Sequence, residues 1–349
     1  MKDSAACPIA WRGDELFDRS DWRLCLSQAD LNEIRETLLM TRGLREDDLD
    51  ASTFALPGLG KKLQQIQDSL EHGSGATMIK GYPATEYSAI DNRRVFIGLS
   101  VHLGTPVSQS ASGERVFSVR DGGYHQDDPR ARGPNTRKNL SFHTDRCDVI
   151  GFMCLQQALE GGENEVVSSM ALYHEIARRR PDLLEILKQP FWSKRHTVDK
   201  GNELAFCRQP VFSFTQGHFA CSFLRVLIDQ AYADPARMDM SAIEKEALDF
   251  LEEVAAEPGM PVKFRQEPGD ILFLNNWVTL HRRTAFQDAD EPDQRRHILR
   301  TWLSVPNSRP IDPLFKDNYG ATESGDLRGG MRQQGDLPST TGIVEIISP

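Results

Sequence analysis

Hydrophobic positions in the first hundred residues recur with a helical period. Asp30-Leu-Asn-Glu33 has the form of a reciprocal N-cap, and Leu31, Ile34 and Leu38 follow on one face until Gly43 ends the stretch. Leu59, Leu63, Ile66 and Leu70 make a second apolar stripe, closed by His72-Gly73-Ser74-Gly75. Ala76 to Lys80 reads as a strand stopped by Gly81-Tyr82-Pro83, and Tyr87 to His102 as a third helix. Residues 104–138 are rich in Gly, Pro, Ser and charge and keep no period. That pattern predicts a long irregular excursion, and such segments within compact domains are often functional.

From about residue 139 the pattern turns to short extended runs. Leu140 to Asp145, Val149 to Leu155 and Val166 to Ser168 read as strands, with Gly161-Gly162 marking a turn. Two short helices, Ala171 to Arg179 and Asp182 to Leu187, are divided by Pro181, and strands follow at Pro210 to Phe214 and His218 to Phe223. Ser241-Ala-Ile-Glu244 is a capping box opening a helix with Ile243, Ala247, Leu248, Leu251 and Val254 on one face. Pro268-Gly269-Asp270 turns the chain into Ile271 to Leu274, and His297 to Val305 is the last strand. After Pro306 the chain is polar until a short apolar run, Ile343 to Ile347. Helices first, then short strands with helices among them, predict an α+β fold built on a sandwich or barrel. A Gly-rich turn for a dinucleotide or a P-loop is missing from the sequence.

Composition narrows the function classes. The 349 residues are 39% hydrophobic and 26% charged, enough to bury a core, and carry a formal net charge of −10. That sign opposes nucleic acid and anionic lipid as partners. The longest apolar runs are strand-sized, so no membrane span is expected, and Met1 to Arg12 has no apolar stretch of a secretory signal. Six cysteines without C-x-x-C or regular spacing read as free thiols, which points to a reducing cytoplasm. A homo-oligomer is left open.

The chemistry rests on few residues. His-x-Asp occurs twice, as His125-Gln-Asp127 among turn formers and as His143-Thr-Asp145 in a strand-like run. In a strand, positions two apart share a face, so His143 and Asp145 have the geometry to bind one ion together. The strongest candidate for a third ligand is His281, beyond the strand Ile271 to Leu274 and the bend Asn275-Asn276-Trp277. Two histidines and a carboxylate on one face of a metal leave three positions open, which suits non-haem Fe(II) taking a chelating cosubstrate and O2. Arg296 and Arg300 follow in Arg295-Arg-His-Ile-Leu-Arg300, four apart on one strand face. A planar guanidinium pairs bidentately with a carboxylate, so one arginine has the chemistry for an α-keto acid and the other for an anionic substrate. A solvated basic strand edge is the competing reading. The run Arg178-Arg-Arg180 is read as charge complementing a helix C-terminus.

Ser-Phe-His143-Thr-Asp145, Gly161-Gly-Glu-Asn164, Pro-Gly-Asp270 with Asn-Asn-Trp-Val-Thr-Leu-His281, and Arg295-Arg-His-Ile-Leu-Arg300 occur in this order. The ordered set resembles the taurine dioxygenase-like (TauD/TfdA-type) branch of the Fe(II)/2-oxoglutarate dioxygenases over roughly residues 75–305. The resemblance implies a double-stranded β-helix, a jelly-roll variant, with flanking and inserted helices. The separation of the ligands, 136 residues from Asp145 to His281, favours a single catalytic domain over 1–349, because they must close on one metal; within it a helical cap is expected at 1–75, the jelly-roll core at 76–306, a lid candidate at 104–138 and a polar extension at 307–349. By position the resemblance makes His143, Asp145 and His281 the iron ligands and Arg296 the contact to the distal carboxylate of 2-oxoglutarate. The family often places a Thr or Ser hydroxyl after its Gly-Gly-acidic turn. Here that position is Asn164, with Ser168 as a substitute. Arg300, Asn139 and Gln109 become substrate-side candidates. Because Asp145 is retained, halogenation is disfavoured. The implied reaction consumes 2-oxoglutarate and O2, with ascorbate as an in vitro reductant, releases succinate and CO2, and oxidises an aliphatic carbon of a small, carboxylate-bearing molecule such as an amino acid derivative. Hydroxylation is the usual outcome, with desaturation or cyclisation on the same site. A zinc or manganese hydrolase or isomerase on a jelly roll would use the same His and Asp without needing Arg296. A binding protein without catalysis would not need all three ligands.

Overall fold

The central strands send alternate side chains into two different layers. The computed structural model describes residues 7–124, 133–196, 199, 204–236 and 239–332. A seven-stranded sheet runs in the order Arg23–Cys25, Ala76–Lys80, Ile271–Asn275, Val149–Gln156, His297–Ser304, Thr105–Val107, with Val116–Val119 also paired to His297–Ser304. All of its pairings are antiparallel except the first. Opposite lies a three-stranded antiparallel sheet, in which Asn164–Ser168 is flanked by Val262–Phe264 and Thr279–Arg283.

The period of two in each long strand decides what packs where. Ile271, Phe273, Val149, Met153, Leu299 and Leu303 face a helical layer. Their neighbours Leu272, Leu274, Ile150 and Trp302 face inward and meet Val166 and Val262 of the smaller sheet. Gly151 is required where it stands, because a Cβ there would fall 2.7 Å from the Phe273 ring.

The helical layer consists of Gln28–Thr41, Leu59–His72 and Ala89–Ser100. The first is capped by Ser27, with Asp30 as the reciprocating carboxylate rather than the cap itself. Glu33, expected to close that box, instead accepts the backbone N–H groups of Gly58 and Leu59 at 2.7 and 2.8 Å, where the next helix begins. Leu59, Leu63, Ile66 and Leu70 are buried as the stripe requires. The outer face of the smaller sheet is covered by Ser169–Arg179, Pro181–Leu187 and Ala242–Ala256, which pack on Val167 and Leu280. The Ser241–Glu244 capping box forms, although Ile243 points to solvent.

Other expectations change. The first 75 residues are not only a helical cap, since Arg23–Cys25 is an edge strand of the larger sheet. The excursion at 104–138 contributes Thr105–Val107 and Val116–Val119 to that sheet, and His125-Gln-Asp127 lies outside the described residues. Leu140 to Asp145 is not a strand: it makes one isolated bridge, between His143 and His281. The polar segment after Pro306 is built into the molecule as far as it is described. Arg328 is fully buried on Asp148 at 2.7 Å, and Phe315 and Tyr319 pack against Trp277. Arg178, Arg179 and Arg180 pair with Glu175, Glu257, Asp182 and Glu246. All six cysteines are free, with Cys7 and Cys25 exposed. No helix among the described residues is long and apolar enough to cross a membrane.

Candidate metal centre

His281 lies on the inner face of Thr279–Arg283, where the alternation with outward Leu280 directs it between the sheets. His143 is held against it by a two-way backbone pair, each N–H donating to the other carbonyl at 3.0 Å. The imidazole centroids are 4.5 Å apart. His143 Nδ1 is 2.9 Å from the Ser141 carbonyl, which only accepts, so that nitrogen carries the proton and Nε2 keeps its lone pair. Asp145 is aimed by its backbone N–H, which donates to Asn276 Oδ1 at 3.1 Å, while Thr144 N–H donates to the Phe223 carbonyl at 2.7 Å. The ligand atoms of His143, Asp145 and His281 then all lie within 4.8 Å of one another.

Their electrostatics suit a cation. Burial and His281 push His143 down to about 4, so its ring is neutral at neutral pH. Burial alone would raise Asp145, but the Arg300 guanidinium holds its carboxyl well below the usual range. Asp145 Oδ2 and His281 Nδ1 are buried without hydrogen-bond partners. Two histidines and one carboxylate, two of them with orphaned atoms, fit a divalent iron with open positions.

A cavity of about 850 Å³ opens on the three ligands. Arg296, Arg300 and Asn164 line it, and so does Asn139, which is exposed at the edge. The strand bulges between His297 and Ile298, yet Arg296, Ile298, Arg300 and Trp302 all face the cavity. Arg296 is buried, with Nε and Nη1 unpartnered and its guanidinium 5.2 Å from the Phe286 ring. Burial lowers it to about 10, which leaves it charged. Gly162 sits beside this side chain at φ +74°, a backbone conformation that favours glycine, and a Cβ there would fall 3.1 Å from Gln157 Oε1 and 3.4 Å from Arg296 Nε. An unpartnered buried guanidinium fits a carboxylate such as that of 2-oxoglutarate.

Arg300 is held differently. Its Nε donates to Gln109 Oε1 at 2.7 Å, its guanidinium sits between Phe117 and Trp302 at 5.3 and 5.0 Å, and Nη1 is 3.7 Å from Asp145 Oδ1. Gln109 does not line the cavity. It is buried, and its amide also donates to the carbonyls of Arg300 and Arg115 at 2.9 and 3.0 Å, so it positions Arg300 rather than meeting substrate. Ser168 is a second correction. Its hydroxyl caps the following helix at Ala171 N–H and donates to the Ile9 carbonyl, which removes it from any cosubstrate contact. Asn164 Nδ2 donates to Gln266 Oε1 at 3.1 Å, and Gln266 in turn donates to the carbonyls of Phe152 and Asp270, both at 3.2 Å.

Sequence reasoning missed Arg283 and Gln266, which also line the cavity. Arg283 is two residues beyond His281 on the same strand, so the period of two already places it on the ligand face. Burial and Arg296 lower it to about 9, and it donates to the carbonyls of Lys138 and Thr284. On the outer wall Arg225 gathers Asp229, Asp249 and Glu252 at 2.8, 2.7 and 3.1 Å, joining Arg225–Tyr232 to Ala242–Ala256.

Residues 41–302 match the family described as Taurine catabolism dioxygenase TauD, TfdA family. The chain belongs to this family. It is an oxygenase dependent on iron and 2-oxoglutarate. The dioxygenase is 34% identical to an FR-33289 synthase of Streptomyces rubellomurinus over 306 residues, which cover 86% of this chain and 90% of that protein. It is 29% identical to a taurine hydroxylase-like protein of Stachybotrys chartarum, over 88% of this chain and 84% of that one. A solved asparagine oxygenase in complex with Fe(II), 3-hydroxyasparagine and succinate shares the fold, with a TM-score of 0.64 at 16% identity over 81% of this chain and 93% of that one.

Proposed function

We propose that this dioxygenase hydroxylates an aliphatic carbon of a small, carboxylate-bearing molecule, an amino acid derivative or secondary metabolite. One molecule each of substrate, 2-oxoglutarate and O2 gives hydroxylated product, succinate and CO2. The observation that carries the reading is the convergence in one cavity of the His143, Asp145 and His281 triad with the buried, unpartnered guanidinium of Arg296.

On this reading His143, Asp145 and His281 hold the iron, and Arg296, assisted by Asn164, binds the distal carboxylate of 2-oxoglutarate. Together iron and 2-oxoglutarate supply the oxidising power when bound. The chain binds, orients and excludes water. Arg300, fixed by Gln109 and two aromatic rings, offers its remaining N–H groups to a substrate carboxylate beside the ligand Asp145. Gly133, late in the 104–138 stretch, and Asn139, just beyond it, line the cavity and support a role for that end of the stretch in covering substrate. The opposed sheets support a double-stranded β-helix as the scaffold. The substrate class is also supported by the hydroxyasparagine named with the solved asparagine oxygenase.

The test is a mass-spectrometric screen of amino acids and small carboxylates with Fe(II), 2-oxoglutarate and ascorbate. The expected product is about 16 Da heavier, formed with one succinate. Succinate release with a product about 2 Da lighter would replace hydroxylation by desaturation or cyclisation. Reaction of uncharged substrates only would overturn the role of Arg300.

A further inference from the structure

Arg283 ends the strand that carries His281 and, two positions on, shares its inward face. It is buried and lines the cavity that opens on the three metal ligands. Its Nε donates to the Thr284 carbonyl at 3.1 Å and its Nη2 to the Lys138 carbonyl, so one edge of the fork is fixed by neutral acceptors. Nη1 has no acceptor among the described residues. The guanidinium lies 4.6 Å from the Phe286 ring, and that of Arg296 lies 5.2 Å from the same ring. Two buried cations thus lean on one aromatic side chain inside one cavity.

The carboxylates whose fields reach this pair, Asp121 and Asp288, do not close on either guanidinium. Asp121 accepts from Arg137 at 2.5 Å, and Asp288 accepts the backbone N–H of Arg296 at 2.8 Å and keeps Oδ2 without a partner. Burial and the Arg296 charge lower the Arg283 pKa, as like charges in one buried site require. Buried charges are ordinarily paired, because an unpaired one loses its hydration without return. Holding two carbonyls asks for donors but not for a positive charge, so the charge is the part of Arg283 that the fold does not use. Asn164, opposite Arg283 across the strand pair, gives an amide hydrogen to Gln266 Oε1 at 3.1 Å and brings no charge of its own. Two guanidiniums with neutral acceptors and no carboxylate between them are completed by a ligand that carries negative charge, and planar forks match a carboxylate.

We propose that Arg283 is a second cosubstrate-binding cation, which joins Arg296 in holding the distal carboxylate of 2-oxoglutarate and restricts the site to 2-oxo acids that carry a second negative charge. The inference rests on the role given to Arg296 in the function proposed above.

The test compares two cosubstrates in the same variant. In 2-oxopentanoate a methyl group replaces the distal carboxylate of 2-oxoglutarate on the same carbon skeleton, so it reports everything except recognition of that charge. Both are titrated anaerobically into the Fe(II)-loaded full chain and followed by visible charge-transfer absorption. Arg283→Met should weaken 2-oxoglutarate at least about tenfold and 2-oxopentanoate less than about twofold. Arg283→Lys, which keeps the charge without the fork, should weaken 2-oxoglutarate alone by about threefold, and it decides the matter if Arg283→Met does not fold. Parallel weakening of both compounds means that Arg283 only holds the Lys138 and Thr284 carbonyls, and overturns the proposal. An unchanged 2-oxoglutarate Kd overturns it too, including the case in which substrate KM rises instead. Failure of the underlying reading looks different: Arg296→Met then leaves 2-oxoglutarate binding intact, or wild type shows no absorption. In the second case calorimetric titration of both compounds into the metal-free chain replaces the optical readout, and Arg283→Met must still show the selective loss.

Discussion

Replacing Arg296 by Met keeps most of the side-chain volume and removes the charge from the cavity. The guanidinium is buried, two of its nitrogens have no partner in the chain, and it lies against the Phe286 ring with Gly162 beside it. The fold asks little of its charge, so the loss falls on the bound carboxylate. Removing one partner of a buried, hydrogen-bonded charge pair costs about 2–5 kcal/mol. Arg283, whose pKa burial and the neighbouring Arg296 charge lower, is near enough to offset part of the loss. The lower end therefore applies, about 2–3 kcal/mol, or roughly 30- to 150-fold in 2-oxoglutarate Kd. The assay is anaerobic titration of the Fe(II)-loaded protein with 2-oxoglutarate, followed by its visible charge-transfer absorption. The substrate KM, measured at saturating 2-oxoglutarate, should change less than about threefold. A 2-oxoglutarate Kd near wild type in Arg296→Met, with the large defect in Arg300→Met instead, would refute the assignment of the two arginines.

Other outcomes follow from particular contacts. Gln109→Leu strips Arg300 of its acceptor and the carbonyls of Arg300 and Arg115 of their donor; substrate KM should rise about tenfold while 2-oxoglutarate Kd stays unchanged, and Gln109→Glu, which keeps the acceptor, should recover part of the loss. His297 is held down to about 4 by burial and by Arg120, whose Nη2 is 2.5 Å from its Nδ1. Below pH 6.5 the unfolded chain binds this proton and the folded protein does not, so its contribution to stability is complete above pH 6.5 and is lost as pH falls toward 4. Urea midpoints measured from pH 7 to 4.5 should fall less steeply in His297→Gln, and equal slopes would remove His297 from the acid sensitivity. Asp148 accepts from Arg328, from the Trp277 indole at 2.8 Å and from the Val305 N–H at 3.0 Å. Arg328→Met leaves that carboxylate buried and unpaired, and should lower unfolding free energy by about 3–5 kcal/mol in urea titrations.

What the sequence reveals and what it hides divide along sequence separation. Capping boxes and the 3.6-residue stripe are local, and they locate the Leu59 and Ala242 helices well. The candidate ligands were legible as residue types, and their order carried the family resemblance. Their mutual placement was not legible, because Asp145 is aimed by Asn276, 131 positions away, and not by a strand of its own. Gln109 turned from a substrate contact into a support for the same reason, since its partner Arg300 lies 191 residues further on. Ser168 was misread because a hydroxyl after a Gly-Gly turn resembles a ligand contact, while the local requirement of the next helix for a cap decided its use. The polar segment after Pro306 looked like an extension because its anchor is one arginine, Arg328, whose buried carboxylate is 180 residues earlier. Arg283 needed no structure to find, only the strand periodicity already applied to His143 and Asp145.

The most direct measurement is the visible absorption of the full chain titrated anaerobically with Fe(II) and then 2-oxoglutarate. One iron per chain should give a weak charge-transfer band that is absent in His143→Ala, Asp145→Ala and His281→Ala and is retained in His297→Gln. No band in wild type, or a band that survives loss of any of the three ligands, would contradict the site drawn from this structure.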